Sequence, residues 1–525
     1  MSIKAKIASL FIVVLALAGA GLSGCSDSDA RGPAHEKTLV IGSQFDVGGG
    51  IDPRQGISGP NLAPKLLVFE PLVYFDENYN MQPLLLASWK PSKDASTWTL
   101  HLRKGVKFTD GTPLNAEALI FSIQYMSRPG SRLANIQSMD AVDEYTVRLS
   151  LKKPDAIFIH TISSLGLMSP TCVDKDGRFA KPVGTGPFRF VEYIEGRQLV
   201  YQKNEGYWGE KPKIDKVVIK IIPDFNTRAM ALESGEIDAA DYLPAEILKK
   251  LEADPRYTVV RRIPSPCPNW IGMNTKKAPF DDVRVRKAVN YAVDVETIVD
   301  KLINSILPDL AIPATKGPHS QPLFKHIAHP DLQWYGYDPA KAKQLLEEAG
   351  WRDSDGDGVV DKEGRPFRVE LISSLLYAEG TEISEIVQSR LKSVGIDVSV
   401  RVLESGARFQ AYREKKFDMI ELAGICPHND PSPWYDYYFH SKKHPAYCVM
   451  EDQAMDAEID RLASAVDADS RQASFYRLQY LLEKNAPGIF LYIRRGAMAF
   501  RSDIKGFKIN CGMTGAYSFA RYVSK

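Results

Sequence analysis

Thr97-Trp98-Thr99-Leu100-His101-Leu102-Arg103-Lys104-Gly105-Val106-Lys107-Phe108-Thr109-Asp110-Gly111-Thr112-Pro113 carries the densest structural signal in this 525-residue chain. Its first six residues alternate at period two, as a half-buried strand does. Lys104-Gly105 turns the chain into Val106-Lys107-Phe108, and Asp110-Gly111 makes a second turn. Upstream, residues 38–45 (Thr-Leu-Val-Ile-Gly-Ser-Gln-Phe) read as a buried strand before a loop with Gly48, Gly49 and Gly50. Downstream, Asn115 to Met126 reads as a helix, 216–222 as a strand, and Asp224 to Ser234 as a helix ended by Gly235. A second series includes helix 338–349, strand 367–373, helix 380–393 and strand 396–403. Strands alternating with helices predict α/β layers.

Composition bounds the rest. Hydrophobic residues make up 44% and charged residues 25%, an ordinary globular balance. A single core stops growing at roughly 250–300 residues, so two or three domains are expected. Lys+Arg 66 against Asp+Glu 65 leaves a net charge of +1, without the basic excess of a nucleic-acid binder. Enzyme signatures are missing: the sequence holds no Gly-x-Ser-x-Gly, no His-Glu-x-x-His and no Walker loop.

The amino terminus is an export signal. Lys4 and Lys6 precede an apolar run from Ile7 to Leu22, too short for the ~20 residues of a membrane span. Leu22-Ser23-Gly24-Cys25 closes it and resembles a bacterial lipobox. That resemblance implies cleavage after residue 24, lipidation of Cys25, and a polar tether over 25–37. The expected location is outside the cell membrane, periplasmic or on its outer face, with a lipid anchor. Ser26 is not the aspartate associated with inner-membrane retention, so either membrane fits. Five further cysteines leave at least one free thiol. Cys426 with Cys448, which flank one aromatic loop, is the preferred disulfide, and Cys267 with Cys426 the second choice.

Ordered motifs run through most of the remaining chain. They are Leu86-Ala87-Ser88-Trp89 leading into the stretch above; Gly184-Thr185-Gly186-Pro187-Phe188, then Tyr207-Trp208-Gly209; Ile222-Pro223-Asp224 with Leu232-Glu233-Ser234-Gly235; Met273-Asn274 with Pro279-Phe280-Asp281-Asp282; and Tyr337-Asp338-Pro339 to Ala349-Gly350-Trp351. In this order they resemble the family 5 extracellular solute-binding proteins of ABC importers, the peptide, nickel and oligosaccharide group. Each motif also has a scaffold reading: Gly184 and Gly186 for a tight chain path, Trp89, Trp98 and Trp208 as core anchors, and Arg284, Arg286 and Asp238 as charges holding the fold.

The resemblance implies a two-lobe, periplasmic-binding-protein-like α/β fold (type II, cluster C) with an extra subdomain inserted in lobe one. Carried onto this chain, lobe one takes 38–71, 184–266 and 497–525, the insert 72–183, and lobe two 267–496. Crossing strands are expected near Trp270–Asn274 and Phe490–Arg494. A ligand, most simply a peptide, is enclosed as the lobes close and passed to a permease and ATPase. The expected protein is a monomer with no cofactor, no catalytic group and no nucleic-acid partner. The alternatives are a nickel or other metal chelate, then an oligosaccharide ligand or a surface-receptor role.

Ligand choice is expected from Cys426-Pro427-His428-Asn429-Asp430-Pro431-Ser432-Pro433-Trp434 and the aromatic run to Phe439, since in the family the loop ending in Asp-Pro lines the cleft. His428, Asn429, Asp430 and Trp434 are the candidate ligand residues. Dipeptide-type binders place an aspartate where this chain has Pro427, and an arginine near 373–380, where it has none. His440 and His444 are candidate metal ligands, because imidazole suits nickel, zinc and copper and the nickel branch uses a histidine after this loop. That branch also holds an anionic chelator with arginines of the insert, for which Arg128 and Arg132 are candidates. The other reading makes His428, His440 and His444 plain loop histidines. Finally, Asp353 to Gly364 matches an EF-hand loop at positions 1, 3, 5, 6 and 9 but has Gly364 at position 12, where a glutamate is required; Asp-Gly repeats also make turns without metal.

Overall fold

The computed structural model describes residues 36–47, 50–55, 62–76, 80–128, 131–163, 165–261, 266–319, 327–374, 379–424, 430–506 and 523–525. Two compact units divide the chain, Met1–Glu36 and Lys37–Lys525, and every described strand and helix belongs to the second. The signal segment, Cys25 and all but the last two tether residues lie outside the described residues.

Three large sheets organise that unit. A seven-stranded sheet runs, edge to edge, Tyr257–Arg261, Ala497–Arg501, Ala239–Asp241, Thr38–Ser43, Lys216–Ile221, Gln198–Lys203, Phe188–Ile194. Thr38–Ser43 is central and parallel to both neighbours, and its Leu39 and Ile41 are fully buried. Helix Phe225–Glu233 starts where the Asp224 carboxylate accepts the Thr227 amide at 2.7 Å and stops before Gly235, whose φ of +78° suits glycine.

Residues 72–183, expected to form the insert, carry a four-stranded antiparallel sheet ordered Leu86–Pro91, Thr97–Leu102, Thr146–Leu151, Ile136–Asp143. Along Thr97–Leu102 the even-numbered residues Trp98, Leu100 and Leu102 are buried and the odd ones are not. The period-two reading of that stretch therefore holds residue by residue. Helix Ala116–Met126, capped by Asn115 on the Ala118 amide, covers the sheet.

The second lobe has a six-stranded sheet ordered Ala311–Pro313, Gly488–Arg494, Asn269–Met273, Met419–Leu422, Arg368–Ser374, Asp397–Leu403. Arg368–Ser374 lies parallel to its two neighbours, with helices Gly380–Lys392 and Ser405–Arg413 in the connections. The expected crossing strands, Asn269–Met273 and Gly488–Arg494, pair with each other inside this sheet, and the second passes through Arg495-Gly496 to Ala497–Arg501 of the seven-stranded sheet. One apolar cluster joins Leu232 and Leu248 of the first lobe to Val289, Leu346 and Leu391 of the second, so the lobes share packed surface.

The motif residues hold this scaffold. A Cβ on Gly184 would lie 2.0 Å from the Val68 carbonyl oxygen, and one on Gly186 2.3 Å from that of Leu67. Only glycine allows so close a backbone approach. The approach brings Thr185 to the buried Glu70, whose carboxylate accepts from Thr185 Oγ1 at 2.9 Å, Tyr207 Oη at 2.5 Å and Trp208 Nε1 at 2.8 Å. Arg228, fully buried, donates to the carbonyls of Asp241, Ile222 and Tyr242. Arg286 serves Asn485, Phe280 and Asp281 in the same way, Arg284 pairs with Asp282, and Asp238 accepts from the Val40 amide and Lys525.

Candidate functional site

Helix Ser432–Phe439 begins with a proline on each side of Ser432, where missing amide donors matter least. It presents Trp434, Tyr435, Tyr438 and Phe439 inward, at helical spacing. These rings pack on Trp270 of strand Asn269–Met273 and Phe490 of strand Gly488–Arg494, with Trp434 6.0 Å from Trp270 and 5.7 Å from Phe490 between centroids. Trp434 is fully buried, so it docks the loop onto the second lobe. Among the described residues, neither the Trp434 nor the Trp270 indole N–H has a hydrogen-bond partner. His319 closes the cluster. Burial pushes its pKa down to about 4, so at pH 7 the ring is neutral. Nδ1 then donates to the Pro266 carbonyl (2.7 Å) and Nε2 accepts from the Tyr435 hydroxyl (3.0 Å).

His428 and Asn429 lie outside the described residues, and so do Pro427 and Cys426. Asp430, the next residue, is committed to the protein. Its carboxylate takes Arg471 Nη2 at 2.5 Å and the Ser432 amide at 2.8 Å. Burial opposes its charge, but Arg471, His160 of the insert and the Ser432 contacts outweigh it and hold the pKa at about 2. The insert and the second lobe also touch directly, the Ala156 amide donating to the Ala463 carbonyl at 2.7 Å. Between them lies a groove of about 560 Å3. Lys152, Lys153 and Asp155 line it from the insert, and Asp436, His444 and Asp460 from the second lobe.

His444 lines this groove and the buried His440 faces its Asp460, with a cation already between the two acids. Lys443 Nζ is 2.9 Å from Asp436 and 2.9 Å from Asp460. His440 Nε2 is 3.3 Å from Asp460, and its Nδ1 accepts the Lys442 and Lys443 amides. His444 Nε2 is 3.6 Å from Asp436. Among the described residues, the one trio of metal-ligating side chains with atoms within 4.8 Å of one another is Asp353, Asp355 and Asp357. Those three are exposed and already accept amides of Gly356, Gly358, Asp357 and Val359, while Asp361 is taken by Ser354. Arg128 is exposed at the end of its helix; the side chain of Arg132 lies outside the described residues.

The preferred disulfide is overturned. Cys448 is a free, buried thiol whose Sγ donates to the Met450 carbonyl at 2.6 Å. Cys172 is free as well, whereas Cys267 is disulfide-bonded, with its partner outside the described residues. The second choice, Cys267 with Cys426, therefore still stands as an expectation.

Sequence reasoning missed three charges. The turn at 373–380 has no arginine of its own, yet Arg494 arrives there from the end of strand Gly488–Arg494, its Nε donating to Glu379 at 2.6 Å with both side chains under a tenth exposed. Lys443 was hidden between the two histidines, and Arg471 lies 41 residues after the acid it pairs with. The run Ile493-Arg494-Arg495-Gly496, charge at the end of an apolar strand, was the one available signal.

The chain matches the family described as bacterial extracellular solute-binding proteins, family 5 Middle, over residues 80–445. It is 30% identical over 436 residues to the nickel-binding periplasmic protein of Escherichia coli (strain K12), covering 78% of this chain and 80% of that one. It is 27% identical to the oligopeptide-binding protein AppA of Bacillus subtilis (strain 168), over 96% of both chains. The crystal structure of NikA from Brucella suis in complex with Fe(III)-EDTA superposes with a TM-score of 0.81 at 28% identity, covering 93% of this chain and 100% of that one.

Proposed function

The chain belongs to family 5 of the bacterial extracellular solute-binding proteins of ABC importers, and on that premise we propose that it captures a peptide between its lobes and delivers it to a permease and ATPase. The division carried forward is 38–71, 184–266 and 497–525 for the first lobe, 72–183 for the insert and 267–496 for the second lobe. The three sheets support it, each drawing its strands from one of these parts. The protein works by enclosure and not by turnover. It is exported, acts as a monomer, and is tethered through a lipid on Cys25.

The observation that carries the peptide reading over the metal-chelate reading is the place of Lys443. Its ammonium bridges Asp436 and Asp460, the acids that His444 and His440 face, so both carboxylates already have a cation. The match to the oligopeptide-binding relative over nearly the whole chain adds to it. Arg494 also brings a guanidinium to the turn where a ligand-carboxylate arginine is expected. His428, Asn429, Asp430 and Trp434 remain the proposed ligand-side residues, with Asp430 and Trp434 shaping the site from beneath, since both are already held by protein partners. The nickel-chelate alternative rests on the resemblance to the E. coli nickel protein.

Native mass spectrometry of protein lacking residues 1–25, purified without added ligand, tests this. A ladder of adducts with peptide masses is the expected result. A single adduct with a nickel isotope pattern would sink the peptide reading and return His428, His440 and His444 to the site.

A further inference from the structure

We infer that Arg471 is a positioning residue that ties the seam between the insert and the second lobe to the segment beginning at Asp430, so that the seam closes in register. The inference rests on lobe closure as the working motion. Arg471 Nη2 donates to Asp430 Oδ2 at 2.5 Å and to Ser432 Oγ at 3.0 Å. Its Nη1 lies 3.4 Å from the Leu462 carbonyl and 3.5 Å from that of Ala465. These carbonyls lie at the end of helix Gln453–Ser464, where the Leu462 oxygen also accepts the amide of the capping residue Ala465 at 3.3 Å. Between them stands Ala463, whose own carbonyl accepts the Ala156 amide of the insert. Asp430 also feels the charge of His160, on helix Phe158–Ser163 four residues beyond Ala156.

Both links to the insert therefore reach one short segment, Ala156 to His160, and both are organised in the second lobe by one guanidinium. A planar fork with five donors serves a carboxylate, a hydroxyl and two carbonyls at once, which a lysine ammonium does not. Removing it leaves Asp430 buried without its cation and the Leu462 carbonyl with the Ala465 amide alone, at 3.3 Å. Ala463 then loses the support on both sides that aims its carbonyl at Ala156.

The test is a cross-linking rate in the full chain. Ala156→Cys with Ala463→Cys places two thiols at the seam; Cys267 is already bonded, Cys172 and Cys448 are buried, and mass mapping of the linked peptides tells the new disulfide from any that Cys25, Cys426 or Cys511 forms. Under mild oxidant the pair forms an intramolecular disulfide. Adding Arg471→Gln is expected to slow that reaction about tenfold, the scale on which coupling residues act, with Arg471→Lys in between. Equal rates with and without Arg471→Gln, both proteins being folded, would overturn the inference. Should Arg471→Gln fail to fold, Asp430→Asn replaces it: it keeps the shape, removes the charge, and is expected to slow the reaction; an unchanged rate overturns the inference equally. Small-angle scattering separates this from the closure reading. If the oxidised and reduced proteins scatter alike in every variant, the lobes do not open and the closure reading itself fails. If oxidation compacts the protein but the rate ignores the substitution of Arg471, only the role of that residue falls.

Discussion

Glu70 in the first lobe and Asp430 in the second are both buried carboxylates, each next to a segment singled out by sequence, yet they are satisfied in opposite ways. Glu70 accepts from neutral donors, Thr185, Tyr207 and Trp208, all on its own side of the molecule. Asp430 is held by a cation, Arg471, and lies in the field of His160 from another subdomain. The first arrangement fixes a backbone path and has no reason to vary with the ligand. The second sits where parts of the molecule meet and binds its neighbours through charge, which pH and mutation can address. The motifs that identify the family cluster around the first kind of site, which is why they say so little about the ligand.

The largest effect expected from this contrast is at Glu70. Glu70→Ala orphans three buried donors at once and should destabilise the protein by about 3–5 kcal/mol. Glu70→Gln, which keeps the shape and an acceptor, should lose about 1–2 kcal/mol. Denaturant midpoints at constant slope measure both. If Glu70→Ala destabilises less than Asp430→Asn, the distinction between the two sites collapses.

Acid titration sharpens the contrast next, because His319 and Asp430 are fully buried groups of the second lobe with strongly displaced pKa values. His319 is neutral in the fold with a pKa of about 4, while the unfolded chain takes up that proton near pH 6.5. Stability from His319 is therefore full above ~6.5 and falls as pH drops towards 4, by roughly 3 kcal/mol. Asp430 is depressed to about 2 from an unfolded value near 3.9. Its contribution, about 2 kcal/mol, is present above ~4 and is lost as pH falls through 2. A urea midpoint followed against pH should show two successive losses. His319→Gln should erase the upper one and Asp430→Asn the lower. A single loss, unmoved by either substitution, would mean that neither site titrates as its surroundings require.

The scaffold was readable because its signals are local. Thr97–Leu102 alternates, Asp224 caps, Gly235 stops, and each feature falls within a few residues of the element it governs. Glu70 was not readable for the converse reason: its partners lie 115 to 138 residues downstream, and Phe69-Glu70-Pro71 has no pattern of its own. The histidines show a subtler limit. Spacing set His440 and His444 four residues apart, but the ammonium of Lys443 between the acids they face depends on side-chain reach, which spacing does not encode. Proximity in sequence likewise suggested Cys426 with Cys448, where the Cys448 thiol instead satisfies the carbonyl two residues on.

The smallest expected effect concerns Asp353, Asp355 and Asp357, the acidic trio whose spacing most resembles a metal site. Their carboxylates are exposed and face one another, which by itself favours a cation. Against that, the loop has already spent its geometry on turns. Asp353 accepts the amides of Gly356 and Gly358, at 2.8 and 3.1 Å, and Asp357 that of Val359 at 2.7 Å. Gly356, Gly358 and Gly364 all take positive φ, so the backbone folds without an ion to gather it. The residue at position 12, where calcium needs a bidentate glutamate, is one of those glycines, and Glu363 before it also has a positive φ of 54°. Millimolar calcium should therefore leave the melting temperature within about 1 °C of its value in chelator. Asp355→Asn should change it no more than an ordinary surface substitution does. A rise of several degrees that Asp355→Asn abolishes would place a third kind of carboxylate site in this molecule, one completed by an ion and by neither neutral donors nor a cationic side chain.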